Sequence, residues 1–170
     1  MAKPSLRLLL WEECNRACEG CCNKQWDLGA LEVESDFTKY DEILLTGGEP
    51  MLYPDRVIDT VAAIRKQTTC PIYLYTAWTQ DIDALLRVNS IVNGLTVTLH
   101  TEADVPRFNA FHRELLQQRN LTMNSYRLNV FEEAKMPRRL LWPWQVKRDM
   151  EWIEDCPLPS NETFKRVGTT

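Results

Sequence analysis

Short apolar segments alternate with helical segments through most of the chain, and this alternation limits the fold more than any other feature. Five segments read as β-strands, at residues 6–11, 42–46, 71–76, 94–100 and 125–131. Three segments between them have helical character, at residues 54–66, 81–88 and 105–118. Strands separated by helices are typical of βα units that build a parallel sheet. The sequence therefore predicts an α/β fold.

The last two predicted strands place polar and apolar side chains on opposite faces. Apolar residues at odd positions of residues 94–100 alternate with polar residues at even positions, while Arg127 and Asn129 form the polar side of residues 125–131. Strands buried on both faces are apolar throughout, so we expect the polar faces to point into a lumen. This pattern predicts a partial, open TIM-like (β/α) barrel of about five to six parallel strands in a single domain.

The regular alternation ends before the C-terminal part of the chain. We divide the chain into a barrel core, residues 1–136, and an extension packed on it, residues 137–170. Within the extension we expect a helix over residues 145–154 and an extended or disordered tail over residues 157–170. Three tryptophans are expected to cover an edge of the core, with a partner surface as the alternative; they are Trp142, Trp144 and Trp152.

Composition and charge exclude several classes of protein. The 170 residues suit one domain, and 44% hydrophobic residues are enough for a core. A net charge of −4 offers no electrostatic attraction to nucleic acid or to an anionic membrane surface. No apolar run is long enough to span a bilayer, and the first residues lack the apolar region of a signal peptide. We therefore expect a cytoplasmic protein that binds neither nucleic acid nor membranes.

Three cysteines, Cys14, Cys18 and Cys21, follow the first predicted strand with C-x3-C-x2-C spacing. Three thiolates this close in sequence can hold three corners of a 4Fe–4S cube, whereas a site made only of protein ligands uses four. The fourth iron is then open to another ligand. Zinc is the alternative, but it needs a fourth protein ligand and usually a second pair of close cysteines. We therefore predict a 4Fe–4S cluster held by these three residues.

The other cysteines receive no metal in this interpretation. Clustered cysteines without a secretory signal favour metal ligation in a reducing compartment over disulfide bonds. Cys22 is predicted to be a small buried apolar residue, and Cys70 a structural residue at the amino end of a strand. Cys156 lies in the tail and receives no role. We therefore expect a single cluster.

A second motif, TGGEP at residues 46–50, follows the second predicted strand. Glycine lets the backbone approach a ligand closely, and a carboxylate can accept a hydrogen bond from an ammonium group. Together with the cysteine spacing, this motif strongly resembles the radical S-adenosylmethionine (SAM) superfamily. The resemblance implies a partial (β/α)6 barrel, in which the open iron binds SAM through its amino and carboxylate groups. One electron then cleaves SAM to methionine and a 5′-deoxyadenosyl radical, which abstracts hydrogen from a substrate.

The same resemblance implies which other residues contact SAM. It assigns the SAM amino group to four residues of the second motif, namely Thr46, Gly47, Gly48 and Glu49. Thr76 and Thr98 stand where family members place polar contacts, Thr98 near the ribose, and His100 ends the same predicted strand as a SAM or substrate contact. Arg127 and Asn129 face the supposed lumen, where Arg127 would bind the SAM carboxylate or a structural carboxylate partner. No residue is assigned a catalytic role.

Two functions remain open within the superfamily, and a third alternative is not an enzyme. The run CEGCCNKQW, residues 18–26, resembles glycyl-radical activases, notably that of anaerobic ribonucleotide reductase, which pass the radical to a glycine of a partner enzyme. The second hypothesis is direct modification of a nucleotide-like molecule or a peptide, in the manner of 7-carboxy-7-deazaguanine synthase. Both imply a reductant such as flavodoxin or ferredoxin. The third is a 4Fe–4S electron carrier or redox sensor, which needs a fourth ligand, with Cys22 the only nearby choice.

Overall fold

The computed structural model describes residues 2–119 and 121–168. Three α-helices lie within these ranges: α1 at Pro54–Arg65, α2 at Ile82–Asn89 and α3 at Asp104–Leu115. The strands are β1 at Ser5–Leu9, β2 at Val33–Glu34, β3 at Glu42–Thr46, β4 at Ile72–Thr76, β5 at Gly94–Leu99, β6 at Ser125–Phe131, β7 at Gln145–Met150 and β8 at Glu162–Val167. No helix within the described ranges is long and apolar enough to cross a membrane.

The strands form one open parallel sheet. Its order is β2-β8-β1-β3-β4-β5-β6-β7, and every neighbouring pair is parallel. The sheet does not close, because β2 and β7 occupy its two edges. This confirms the predicted α/β class and the open parallel sheet. The described residues contain eight strands rather than the predicted five to six, since the short β2 and two strands of the C-terminal extension join the sheet.

The two faces of the sheet differ in polarity, as the alternating pattern predicts. Successive crossovers from β3 to β6 advance in one direction, so their helices lie on the same face. Apolar residues such as Leu45, Leu74 and Val97 are fully buried in the core on that side. On the opposite face Thr96 pairs with the exposed Arg127 across β5 and β6. The carboxyl ends of the strands therefore meet beside a polar face.

The helix predicted over residues 145–154 is wrong, because residues 145–150 form β7. Exposed and half-buried side chains alternate along this strand with the period of two that is typical of a half-buried strand. Its charged residues suit an edge position, where side chains reach water. Pairing with β6 satisfies backbone groups that would otherwise lie unpaired at the edge of the sheet.

The tail expected to be extended or disordered contains an ordered strand. Residues 162–167 form β8, which pairs with β1 along its whole length and with the short β2 on its other side. Without β8, the backbone of the buried strand β1 would have an unpaired edge. The last two residues of the predicted tail, 169–170, lie outside the described residues.

The three tryptophans of the extension have different environments. Trp144 is buried against Phe108 and Tyr126, and its Nε1 donates a hydrogen bond to Nδ1 of His112 at 3.1 Å. This residue covers the edge of the core. Trp142 and Trp152 are both exposed, and Trp152 lies at the carboxyl end of the sheet. The extension thus contributes both to the core and to the site described next.

Candidate functional site

A cavity of about 160 Å³ lies at the carboxyl ends of the central strands. In α/β folds, ligands bind at this edge, where the strands end and the loops begin. Cys14, Cys18 and Cys21 line the cavity. Six of the residues assigned to SAM line it as well: Thr46, Gly48, Glu49, Thr76, Thr98 and His100. The structure therefore brings the two sequence motifs together in one place.

The three cysteines are free thiols within reach of this cavity. Cys14 is exposed, while Cys18 and Cys21 are half-buried. Burial raises the pKa of the Cys18 thiol, and the nearby Arg16 guanidinium acts in the opposite direction. Among the described residues, no group of three or more His, Cys, Asp or Glu side chains is arranged to hold a single metal ion. A cube differs from such a site because each thiolate binds a different iron, so the three sulfurs need not converge on one point.

The two motifs are held together by backbone hydrogen bonds. The Gly48 N–H donates to the carbonyl of Trp11 at 2.8 Å, and the Glu49 N–H donates to the carbonyl of Glu13 at 2.8 Å. Asn23, just after the third cysteine, donates from Nδ2 to the carbonyl of Gly47 at 2.6 Å. Gly47 therefore supports the loop. It is not among the residues that line the cavity.

Gly48 has no room for a side chain. A Cβ at this position would overlap the carbonyl oxygens of Glu12 and Glu13. We expect Gly48→Ala to lower the free energy of unfolding by about 1–3 kcal/mol, because backbone rather than a flexible side chain must move. Urea denaturation measures the change. Gly29→Ala is the control, since its nearest neighbour would be at an ordinary 3.6 Å; an equal loss in both variants would contradict the prediction.

Glu49 is 2% exposed, and protein donors surround its carboxylate. The backbone amides of Met51 and Ala77 donate to it at 2.9 and 3.0 Å, and the Thr76 hydroxyl donates at 2.5 Å. Burial raises the pKa of Glu49, while these hydrogen bonds lower it. Thr76 thus acts in this structure as a partner of Glu49. Because an ionised carboxylate has about four acceptor positions, one position remains for a ligand donor.

The loop that carries Cys14, Cys18 and Cys21, here called the cysteine loop, is anchored by a buried ion pair that sequence reasoning missed. Arg16 lies between the first two cysteines and donates to both carboxylate oxygens of Asp104, the first residue of α3, and to the Ala77 carbonyl at 3.0 Å. Asp104 also accepts from the backbone amides of His100 and Thr101, each at 2.9 Å. An arginine inside a cysteine motif is the only sequence signal for this pair, and nothing in the sequence indicates its partner.

Two buried polar atoms of the site lack a partner. Within residues 2–119 and 121–168, the buried side-chain nitrogens and oxygens without a hydrogen bond are Nε of Arg16 and Nδ1 of His100. Both residues line the same cavity. Because buried polar groups in native proteins nearly always have partners, these two nitrogens leave unmet hydrogen-bonding capacity in the wall of the cavity.

His100 packs against two aromatic rings that also contact each other. It stacks on Trp152 with ring centroids 5.3 Å apart and an interplanar angle of 11°, and its centroid lies 4.9 Å from that of Phe131. Trp152 comes from the C-terminal extension, and sequence reasoning did not place it in the site. Burial lowers the pKa of His100, and the positive charge of Arg16 lowers it further. The ring is therefore neutral at pH 7.

His100 gives folding stability a dependence on pH. Its lowered pKa means that the unfolded chain binds the proton more tightly than the folded protein does. The stabilisation is complete above the unfolded pKa of about 6.5 and is lost as pH falls towards the lower folded value. We expect His100→Phe to reduce the fall in unfolding free energy between about pH 7 and pH 5, measured by urea denaturation. An unchanged pH dependence would contradict this.

The structure does not bring Arg127 and Asn129 to the cavity. Both lie on the polar face of β6, where Arg127 is exposed and Asn129 is half-buried. The expectation that Arg127 is buried and needs an anion is therefore wrong, because water solvates the guanidinium. Neither residue is among those that line the cavity.

Two further cysteines form a disulfide bond that the sequence analysis did not predict. Cys22 bonds to Cys156, which is 134 positions further along the chain, and their Cα atoms are 5.5 Å apart. Cys22 is therefore not a free apolar side chain, and Cys156 has a defined position. Cys70 is free and lies just before β4, at the end of the sheet opposite the cavity.

The arrangement supplies a distinct set of chemical groups. Three thiols offer soft ligands, which favour iron–sulfur clusters, zinc or Cu(I). Glu49, Thr98 and the two unpartnered nitrogens offer polar contacts to a second ligand beside them. In comparisons with known proteins, no family model matches the chain, and no curated protein gives a significant match.

Proposed function

We propose that this protein is a radical SAM enzyme. The observation that carries the proposal is the convergence of the cysteine motif and the TGGEP turn on one cavity at the carboxyl ends of parallel strands. The turn has no evident role in a zinc site, whereas it has one beside a cluster that binds an amino acid group. The two unpartnered nitrogens in the same cavity support a polar ligand.

The residues present fit the cluster and its ligand. Cys14, Cys18 and Cys21 would hold a 4Fe–4S cluster through three irons, and no fourth free cysteine lines the cavity. When bound, such a cluster supplies the electron that cleaves SAM to methionine and a 5′-deoxyadenosyl radical. A reductant such as flavodoxin or ferredoxin would deliver that electron to the protein.

The protein's own residues would bind and orient SAM. The carboxylate of Glu49, fixed by three protein donors, has a free acceptor position for the SAM ammonium group. Nε of Arg16 can donate to a carboxylate, and Nδ1 of the neutral His100 can exchange a hydrogen bond with a polar group of the ligand. The rings of Phe131 and Trp152 pack against His100 at this side of the cavity.

The destination of the radical separates two candidates. The activase-like function rests on the CEGCCNKQW run. In the structure, Asn23 and Lys24 of this run hold the loop by bonding the carbonyls of Gly47 and Cys18. Direct modification of a nucleotide-like molecule or a peptide is favoured by the polar face of the sheet, where Thr96 and Arg127 continue from the cavity. The electron carrier is less favoured, because Cys22 is tied up in a disulfide.

Anaerobic reconstitution with iron and sulfide tests the proposal. After reduction with dithionite and addition of SAM, we expect 5′-deoxyadenosine by chromatography and a change in the EPR signal of the reduced cluster. A cluster that reduces but neither cleaves SAM nor changes its EPR signal would contradict the proposal and favour the electron carrier. Stimulation by a glycyl-radical enzyme, rather than by a small molecule or a peptide, would select the activase.

A further inference from the structure

Residues 151–160, here called the roof segment, lie between β7 and β8, and Trp152 of this segment lines the cavity. Trp152 stacks on His100 and packs against Phe131, with a centroid separation of 4.6 Å from the Phe131 ring. Its other contact is Gly20 of the cysteine loop, where a Cβ would overlap the indole. One side chain of the roof segment therefore joins the cysteine loop to the end of β5.

Little else holds the roof segment in place. It contains no regular secondary structure, and residues 151–155 are exposed. Within the described part of the chain, its backbone hydrogen bonds are local: Cys156 donates to Ile153 at 3.4 Å, and Glu162 donates to Pro159 at 3.0 Å. Segments with few buried contacts and exposed backbone open at low free-energy cost. The roof segment is therefore the part of the site most able to move.

The disulfide is the exception to this loose attachment. Cys156, in the roof segment, is 4% exposed and is bonded to Cys22, the residue directly after the third cysteine of the motif. The Cα separation of 5.5 Å lies in the ordinary range for disulfides. Breaking this bond would leave the packing of Trp152 as the main attachment of the roof segment to the cysteine loop.

The cavity that Trp152 lines is small and partly open to solvent. The cavity measures about 160 Å³, whereas pockets that bind small molecules typically measure about 300–1,000 Å³. A larger opening requires some wall to move, and Trp152 is the wall contributed by the least-anchored segment. Movement of the roof segment would therefore enlarge this cavity.

We propose that the Cys22–Cys156 disulfide is a redox latch that holds the roof segment against the cysteine loop beside the cavity. A dithiol, either a small molecule or a protein, opens it. One thiolate of the dithiol attacks Sγ of Cys22 and releases Cys156 as a thiolate, and the second thiol then resolves the mixed disulfide. Two electrons and two protons pass to the protein, which gains two thiols, while the dithiol becomes a disulfide. The latch itself does not depend on the proposed function. Only the role of the cavity, as the place where a cluster and SAM bind, rests on that proposal.

Cysteine alkylation measures the latch without iron or SAM. Oxidised protein and protein reduced with dithiothreitol, then freed of it anaerobically, are treated with iodoacetamide, and each cysteine is quantified by peptide mass spectrometry. We expect the alkylation rates of Cys18 and Cys21 to rise about tenfold after reduction, because the roof segment no longer shields them. Cys70 lies at the opposite end of the sheet and serves as the internal control, with an unchanged rate.

Variants separate the latch from general loosening of the protein. Cys156→Ser should show the fast rates at Cys18 and Cys21 without any reductant, and Trp152→Ala should show them with the disulfide intact. Equal rates in oxidised and reduced wild-type protein would overturn the latch, as would alkylation of Cys22 and Cys156 before reduction. Acceleration at Cys70 as well would also overturn it, because the change would then be global. A negative result would say nothing about SAM cleavage, because the assay contains neither an iron–sulfur cluster nor SAM.

Discussion

If the proposed function holds, replacing Cys18 with alanine is expected to abolish assembly of a 4Fe–4S cluster and, with it, cleavage of SAM. Cys18 is the middle cysteine of the motif and lines the cavity together with Cys14 and Cys21. Each of the three thiolates binds a different iron, so removing one leaves a second iron without a protein ligand. We therefore expect iron bound per chain and 5′-deoxyadenosine both to fall to background after anaerobic reconstitution.

The matched control for this experiment is Cys70→Ala. Cys70 is also a free cysteine, but it lies before β4 at the far end of the sheet. It should retain the iron content, the cluster absorption and the SAM cleavage of the wild-type protein. A Cys18→Ala protein that still binds a full cluster would show that the ligands have been wrongly assigned. Loss in both variants would point to a general folding defect.

Replacing Arg16 with methionine is expected to lower the free energy of unfolding by about 3–5 kcal/mol, because it leaves the buried carboxylate of Asp104 without its partner. The Arg16 side chain is 15% exposed and that of Asp104 is 3% exposed. Charge-assisted hydrogen bonds to Arg16 and hydrogen bonds from the backbone amides of Thr101 and His100 hold the pKa of Asp104 below its usual range. Urea denaturation of the apo protein at pH 7 measures the loss.

The exposed ion pair between Arg87 and Asp55 provides the control. Its side chains are 57% and 82% exposed, so Arg87→Met should cost at most about 1 kcal/mol. Equal losses in the two variants would show that burial does not strengthen the Arg16 pair. Alkylation of Cys18 provides a second measurement. If the ion pair holds the cysteine loop in place, Arg16→Met should increase the alkylation rate of Cys18.

The cysteine loop has little regular structure of its own, so distant contacts determine its shape. Besides a short 3-10 turn at Cys22–Lys24, it is held by the ion pair of Arg16, the hydrogen bond from Asn23 to Gly47, and the disulfide of Cys22. Each of these ties leads to a different part of the fold. The positions of the three thiols therefore depend on the whole carboxyl edge of the sheet.

The central fold follows closely from local pattern. The segments at 42–46 and 125–131 coincide with β3 and β6, and the helix predicted from residue 54 begins at that residue. Proline at the first turn and buried Val57, Val61 and Ile64 at helical spacing explain the start and register of α1. A strong apolar periodicity of this kind predicts the same element whatever the surrounding fold. The weaker pattern of residues 145–154 does not, and pairing with the free edge of β6 makes this segment a strand.

The sequence by itself determined the α/β class, the parallel sheet and the close spacing of Cys14, Cys18 and Cys21, because these are properties of neighbouring residues. Only the tertiary structure decided that Asp104 meets Arg16, that Cys156 bonds to Cys22, and that Trp152 roofs the cavity. Asp104 is 88 positions from Arg16, and Cys156 is 134 positions from Cys22. Trp152 is more than a hundred positions from Gly20, which it contacts in the cysteine loop. Contacts at such separations depend on how β7 and β8 complete the sheet, and no local propensity records that.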